Sequence, residues 1–236
     1  PEIEVVAVAH HETTTGLLNP LREIGEIVRR HKRRFLADCI SSLAGDFIDF
    51  DKTHLDFCVG TANKCIQGYP GVSFVLMRRD EAARLEKIPQ RSLYLNLYGY
   101  YKAQEKGDIL FTPAIQAHYA LDEALSELLE ETVSGRIRRY REAARRLRAR
   151  FSDMGLQFLI PRELYSNTLT SLKLPDGITY AQLHDSLREK GFVIYSGQGN
   201  FNNAIFRVAN MGDIHPEEFD RFTQALEECL AMTIRK

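Results

Sequence analysis

Three side chains of different chemistry stand at places where an α/β chain presents groups to a ligand: an amine, a carboxylate and a guanidinium. Lys64 lies just past an apolar run, in Thr61-Ala62-Asn63-Lys64-Cys65-Ile66-Gln67-Gly68-Tyr69-Pro70-Gly71, where the later glycines and proline let the backbone bend around a bulky ring. An amine in such a turn can hold an aldehyde as a Schiff base. Asp38 closes the preceding run, Phe35-Leu36-Ala37, and a carboxylate there can keep a pyridine nitrogen protonated, so that the ring draws electrons from a bound substrate. Arg207, within Ile205-Phe206-Arg207-Val208, offers the planar fork that grips an acid group in bidentate fashion. Amine, ring acid and substrate cation are three of the four groups that amino-group transfer asks of a protein. The fourth, a seat for a phosphate, has no candidate of this kind.

The elements that must position these groups are legible in outline. Val5-Val6-Ala7-Val8-Ala9 is a continuous apolar run of the type that a strand buried on both faces shows in a parallel sheet. A polar stretch, His10 to Gly16, follows, and then Asn19-Pro20, which predicts an N-cap with proline at the first helical position. Leu21, Ile24, Ile27 and Val28 form that helix's apolar stripe. Phe35–Ala37, Asp56–Val59 and Ser73–Met77 predict three further strands. Strands separated by crossovers imply an open α/β sheet, which binds ligands beyond the carboxyl ends of its strands. From about Ala114 the pattern is helical, with stripes at Leu121, Ala124, Leu125, Leu128 and Leu129 and then at Ile137, Tyr140, Ala144, Leu147, Phe151 and Met154. A strand near Thr168–Leu172, a helix near Tyr180–Lys190, strands at Phe192–Tyr195 and Ala204–Ala209, and a helix after Pro216 predict a small α+β domain.

Five blocks taken in order resemble one family. They are His10-His11-Glu12-Thr13-Thr14-Thr15-Gly16, Asn19-Pro20, Asp38-Cys39-Ile40-Ser41-Ser42, Ala62-Asn63-Lys64-Cys65, and Phe206-Arg207-Val208-Ala209-Asn210-Met211-Gly212. The set is similar to the class V aminotransferases, and within them most similar to the branch that acts on 2-aminoethylphosphonate and pyruvate. The resemblance implies pyridoxal 5'-phosphate as cofactor, with Lys64 as the Schiff-base lysine and Asp38 as the acid at the pyridine nitrogen. It also implies a hydroxyl at Thr15 near the ring with Thr13 as a neighbour in the same loop, Thr112 reaching the cofactor phosphate of a partner subunit, and Arg207 as the clamp on the substrate's carboxylate or phosphonate. A small-molecule amino donor, a 2-oxo acid acceptor and a homodimer follow from the same likeness.

The implied fold is that of a fold type I enzyme: residues 1–125 as the C-terminal part of the large cofactor-binding domain, with a mostly parallel sheet in three αβα layers, and residues 126–236 as a small α+β domain. The family's glycine-rich phosphate cup and ring-stacking aromatic belong to a segment ahead of the first strand seen here. His11 and Ile40 stand where the family has other small or apolar residues. Two alternatives stay open: another class V aminotransferase, acting on alanine or serine with glyoxylate or pyruvate, and a truncated remnant without catalysis.

Composition narrows the rest. The 236 residues are 44% hydrophobic and 27% charged with a net charge of −1, so the whole-chain charge gives no reason to expect a polyanion or an anionic membrane as partner. The eight arginines against one glutamate between Arg136 and Arg150 run through an apolar helical stripe and read as a solvated helix face, not a nucleic-acid stripe. Four cysteines without paired spacing predict reduced thiols in a cytoplasmic protein, and no apolar run has the roughly 18 residues of a membrane span. His10 and His11, adjacent in a strand, point to opposite faces, so no metal site is expected.

Overall fold

The computed structural model describes residues 2–234. In chain order its elements are β1 (Val5–Ala9), β2 (His11–Glu12), β3 (Leu17–Leu18), α1 (Leu21–Arg30), β4 (Arg34–Asp38), α2 (Phe50–Thr53), β5 (Phe57–Thr61), β6 (Ser73–Met77), α3 (Arg79–Leu85), α4 (Leu97–Gln104), α5 (Ile115–Glu131), α6 (Val133–Asp153), β7 (Leu169–Lys173), α7 (Tyr180–Glu189), β8 (Tyr195–Ser196), β9 (Ile205–Ala209) and α8 (Pro216–Ile234).

One sheet has the order β1-β4-β5-β6. β1 and β4 are parallel, with Ala9 opposite Asp38, and β4 and β5 are parallel, with Asp38 opposite Val59; β6 closes the sheet antiparallel to β5. The carboxyl ends of β1, β4 and β5 therefore share one edge, and each runs directly into a candidate site segment. A second sheet, β7-β9-β8, is antiparallel throughout.

Four local expectations change. β1 is an edge strand, with Val5 and Ala7 exposed and Val6, Val8 and Ala9 half-buried; its apolar run does not reflect burial on both faces by the elements described. Helix α1 begins at Leu21 and Asn19 does not cap it. Instead the Asn19 side-chain amide donates to the carbonyl of Ala9 at 2.8 Å, fastening the loop to the end of β1. The inward side of α1 is Leu21, Gly25 and Val28, while Ile27 is exposed. Gly25 is required by packing, because a Cβ there would lie 1.9 Å from the carbonyl oxygen of Thr53. The strand expected at Phe192–Tyr195 is shorter and lies later, at Tyr195–Ser196, where the chain pairs with Arg207 and Phe206 of β9.

Three apolar clusters carry the packing. One joins α1 to β4 and β5 through Leu21, Val28, Phe35 and Leu55. Another fills the small sheet and its helices with Leu147, Phe151, Leu172, Phe206 and Leu226. The third sets Cys65 and Ile66, next to Lys64, against Ala124 and Leu128 of α5 and Tyr140 of α6. Residue 125, the sequence-based boundary, lies inside α5, and α6 feeds two clusters: Tyr140 packs under the lysine turn and Leu147 and Phe151 into the small sheet's core.

Candidate active site

β5 runs out into a tight turn held by Gln67 N–H donating to the carbonyl of Lys64 at 2.9 Å and Gly68 N–H to that of Ala62 at 2.8 Å. Lys64 is half-buried there, and among the described residues its amine makes no hydrogen bond or ion pair. The neighbouring Cys65 is fully buried, and burial pushes its thiol up to about 12, so it is no competing nucleophile. Gly45 lets the loop after β4 approach this turn, since a Cβ there would stand 2.5 Å from Cys65 Sγ.

Asp38 closes β4 with an exposed side chain. Its Oδ1 accepts from the backbone N–H of Ile40 at 2.9 Å, and Oδ2 has no hydrogen-bond partner among the described residues. The main chain at this end is locked to both neighbours: His10 N–H donates to the carbonyl of Asp38 at 2.8 Å and Cys39 N–H to that of Val59 at 2.9 Å.

The loop from His10 to Gly16 leaves β1 between two buried histidines. His11 Nδ1 lies 3.0 Å from the carbonyl of Ser41, which can only accept, so Nδ1 carries the proton and Nε2 accepts from the Ser166 hydroxyl at 3.0 Å. Burial is the main force lowering the His11 pKa, and the charges of Lys64 and Arg148 act in the same direction. His10, bonded to the Ser42 hydroxyl at 2.9 Å, is brought down to about 4 by burial and by His11. Both rings are neutral at physiological pH, and each is occupied by a structural contact. Thr15 Oγ1 accepts from Leu17 N–H at 3.3 Å, and the Thr14 hydroxyl donates to Gln198 Oε1 at 3.4 Å.

Arg207 meets this loop from the small sheet. Half-buried in β9, it donates from Nε to the carbonyl of Ser196 at 2.8 Å and from Nη1 to the carbonyl of Thr13 at 2.8 Å. Nη2 has no hydrogen-bond partner among the described residues. Burial lowers its pKa from the ordinary value, Tyr180 opposing, and a guanidinium so placed stays a cation.

Thus the fold joins Thr13 to Arg207 across 194 positions of sequence, sets Lys64 within electrostatic reach of His11, and places Asp38 on the strand between β1 and β5. Thr112 is not drawn in. It is exposed ahead of α5, whose N-cap is Ala114 and not Thr112, and no hydrogen bond among the described residues links it to the others.

The reading of Arg136–Arg150 as a solvated face is corrected at two positions. Arg136 is 2% exposed and donates to the carbonyl of Cys65 at 2.9 Å. Arg148 donates to Thr170 Oγ1 at 2.9 Å and lies 4.9 Å from the Tyr165 ring centroid, with burial lowering its pKa to about 10. The signal for Arg136 was present: it stands four residues before Tyr140, on the apolar stripe itself. His11, Ser41 and Ser166 carried no such signal, because their contact joins three segments distant in sequence.

On the ring side, the groups present fit pyridoxal 5'-phosphate. An unengaged half-buried amine and a carboxylate with one open oxygen stand at the ends of adjacent parallel strands. Among the described residues no group of three or more His, Cys, Asp or Glu is arranged to hold a metal ion, and no helix is long and apolar enough to cross a membrane.

The chain is 38% identical over 231 residues to a 2-aminoethylphosphonate–pyruvate transaminase of Bacteroides fragilis, covering 96% of this chain and 63% of that protein. It is 35% identical to a protein of the same description from Klebsiella pneumoniae, covering 98% and 64%. Among solved structures it is similar to ureidoglycine-glyoxylate aminotransferase from Bacillus subtilis, with TM-score 0.91, 27% identity and coverage of 98% of this chain and 61% of that one. Pyridoxamine-pyruvate aminotransferase from Mesorhizobium loti gives TM-score 0.92, 28% identity and coverage of 100% and 62%. The chain thus spans about 63% of the length of the curated relatives it matches, and its fold is that of the fold type I aminotransferases. The profile described as aminotransferase class-V matches residues 1–211, and the chain belongs to that family.

Proposed function

We propose that this protein is a pyridoxal-phosphate-dependent aminotransferase that moves the amino group of 2-aminoethylphosphonate to pyruvate, giving phosphonoacetaldehyde and alanine. The observation that carries the reading is that Lys64, whose amine has no partner among the described residues, lies in the turn after β5, while Asp38, whose Oδ2 is open among them, ends the adjacent parallel strand β4. The relatives' shared description supports the substrate pair. When bound, the cofactor supplies an electron sink for the substrate's Cα.

The chain's own residues would divide the work as follows. Lys64 Nζ would hold the cofactor aldehyde and, as a free amine, would carry the proton from the substrate's Cα to the C4′ carbon that the cofactor supplies. Asp38 Oδ2 holds the proton on the pyridine nitrogen by charge. Thr15, with Thr13 beside it, borders the ring, and Arg207 grips the acid group of each substrate in turn, its Nη2 unspent on the protein.

Thr112 is flanked in sequence by the exposed apolar side chains Ile109, Phe111, Ile115 and Tyr119, and the Phe111 ring lies 5.4 Å from that of the exposed Tyr94. A patch of this kind supports a homodimer in which Thr112 reaches the cofactor phosphate of the other protomer. The four cysteines lack paired spacing in the sequence, and we place the protein in the cytoplasm on that ground.

The test is turnover with pyruvate of 2-aminoethylphosphonate against alanine and serine, the latter two also with glyoxylate. Preference for the phosphonate by at least tenfold in kcat/KM is expected. Preference for alanine or serine would assign the chain to another branch of the family.

A further inference from the structure

The lysine turn is held from below by one face of α6. Arg136, itself buried, donates from Nη1 to the carbonyl of Cys65 at 2.9 Å and pairs through Nε with the half-buried Glu131 at the end of α5. One helical turn later Tyr140, 1% exposed, accepts at its hydroxyl from Gln67 Nε2 at 2.6 Å and from the backbone N–H of Gly212 at 3.3 Å. A phenol oxygen has the lone pairs to accept both. It therefore joins a residue three positions beyond Lys64 to one five positions beyond Arg207. Asn210 reinforces the second arm, donating from Nδ2 to the carbonyls of Tyr140 at 3.2 Å and Asn167 at 2.9 Å.

Gln67 itself is in the left-handed region at φ 69°, which an L side chain disfavours. Such a conformation persists where its surroundings over-determine it. Here the surroundings are the turn bond to Lys64, the Arg136 clamp on the preceding carbonyl and the hydroxyl of Tyr140.

We propose that Tyr140, seconded by Arg136, is a positioning residue for amino-group transfer: its hydroxyl fixes the Lys64 turn against the exit of the Arg207 strand, and so sets the amine relative to the acid-binding guanidinium. The inference rests on the aminotransferase reading and adds to it a group that touches neither cofactor nor substrate. Proton transfer is sensitive to placement, with a displacement of about 1 Å able to cost on the order of a hundredfold, and a tether of this kind restricts that freedom.

Tyr140→Phe is the direct test, because the ring keeps its packing against Cys65, Ile66, Ala124 and Leu128 and only the hydroxyl is lost. In the cofactor-loaded protein we expect kcat to fall about tenfold with KM for the amino donor within about threefold. Without substrate, the pH midpoint of the lysine-bound cofactor's visible absorbance should move. Gln67→Met, at a half-buried position, should reproduce the loss, and the double variant should be no worse than either single one, as befits two ends of one contact. Should Tyr140→Phe fail to fold, Gln67→Met decides the matter alone. Unchanged kcat and midpoint, or fully additive losses, would overturn the proposal. Lys64→Ala separates the two levels: if it keeps the visible band, the cofactor reading falls and this inference with it; if it loses the band while Tyr140→Phe matches the parent, only this inference falls.

Discussion

Asp46 is the buried ionisable group with the most to say about pH. It is 4% exposed, its Oδ1 accepts from Asn167 N–H at 3.2 Å, and its Oδ2 is unpartnered among the described residues. Burial raises its pKa to about 6, against the pull of that hydrogen bond and of Arg148 and Arg141. A folded-state pKa above the unfolded one means that the folded protein holds the proton more tightly, so this contribution is complete below about pH 4 and is lost as pH rises to about 6, at most about 3 kcal/mol. His10 works the other way: its pKa of about 4 makes the neutral ring the stable form, and stability falls as pH drops from about 6.5 to 4. The two oppose one another over the same window and mask each other in the parent protein. Asp46→Asn isolates the first. We expect it to raise unfolding free energy at pH 7.5 by about 2 kcal/mol relative to its effect at pH 4, as read by urea denaturation; an equal effect at both pH values would show that Asp46 is ionised without cost.

Among the elements, close approach decides more than propensity. Gly25 brings α1 against the carbonyl of Thr53, and the atom that a new Cβ would meet is backbone, which cannot swing aside. Gly25→Ala should therefore destabilise by about 3 kcal/mol, although alanine is the better helix former by roughly 1 kcal/mol. Thermal unfolding reads the difference, and a neutral or stabilising outcome would mean that α1 and α2 are free to separate. The same distinction explains what the sequence conveyed and what it withheld. Strand β4 with Asp38 at its end, the Lys64 turn, and the helices α5, α6, α7 and α8 follow from apolar spacing and turn residues, because those signals are local. The half-exposed state of β1 did not follow, since an apolar run specifies a strand but not what covers it. Nor did the bond of Asn19 to Ala9, the His11–Ser166 contact or the Tyr140 hydroxyl between Gln67 and Gly212: each is a choice of partner across tens of residues, and one-dimensional periodicity has no term for it. Arg136 lies between these cases, with its place on the stripe legible but its carbonyl partner not.

At the scale of the whole molecule, two sheets with separate cores are brought to one edge by α6 and by the contact of Arg207 with the threonine loop. The mostly parallel sheet delivers an amine and a carboxylate; the antiparallel one delivers a cation. This division suits a cofactor fixed on one unit and a substrate acid group held by the other. Whether the arrangement is used rests on one bond, between Lys64 and the cofactor aldehyde. Borohydride reduction of the loaded protein followed by peptide mass analysis reads it directly. The account predicts a reduced pyridoxyl adduct on Lys64, and its absence together with the visible band in folded Lys64→Ala. An adduct on another lysine, or a band that survives the substitution, would contradict it.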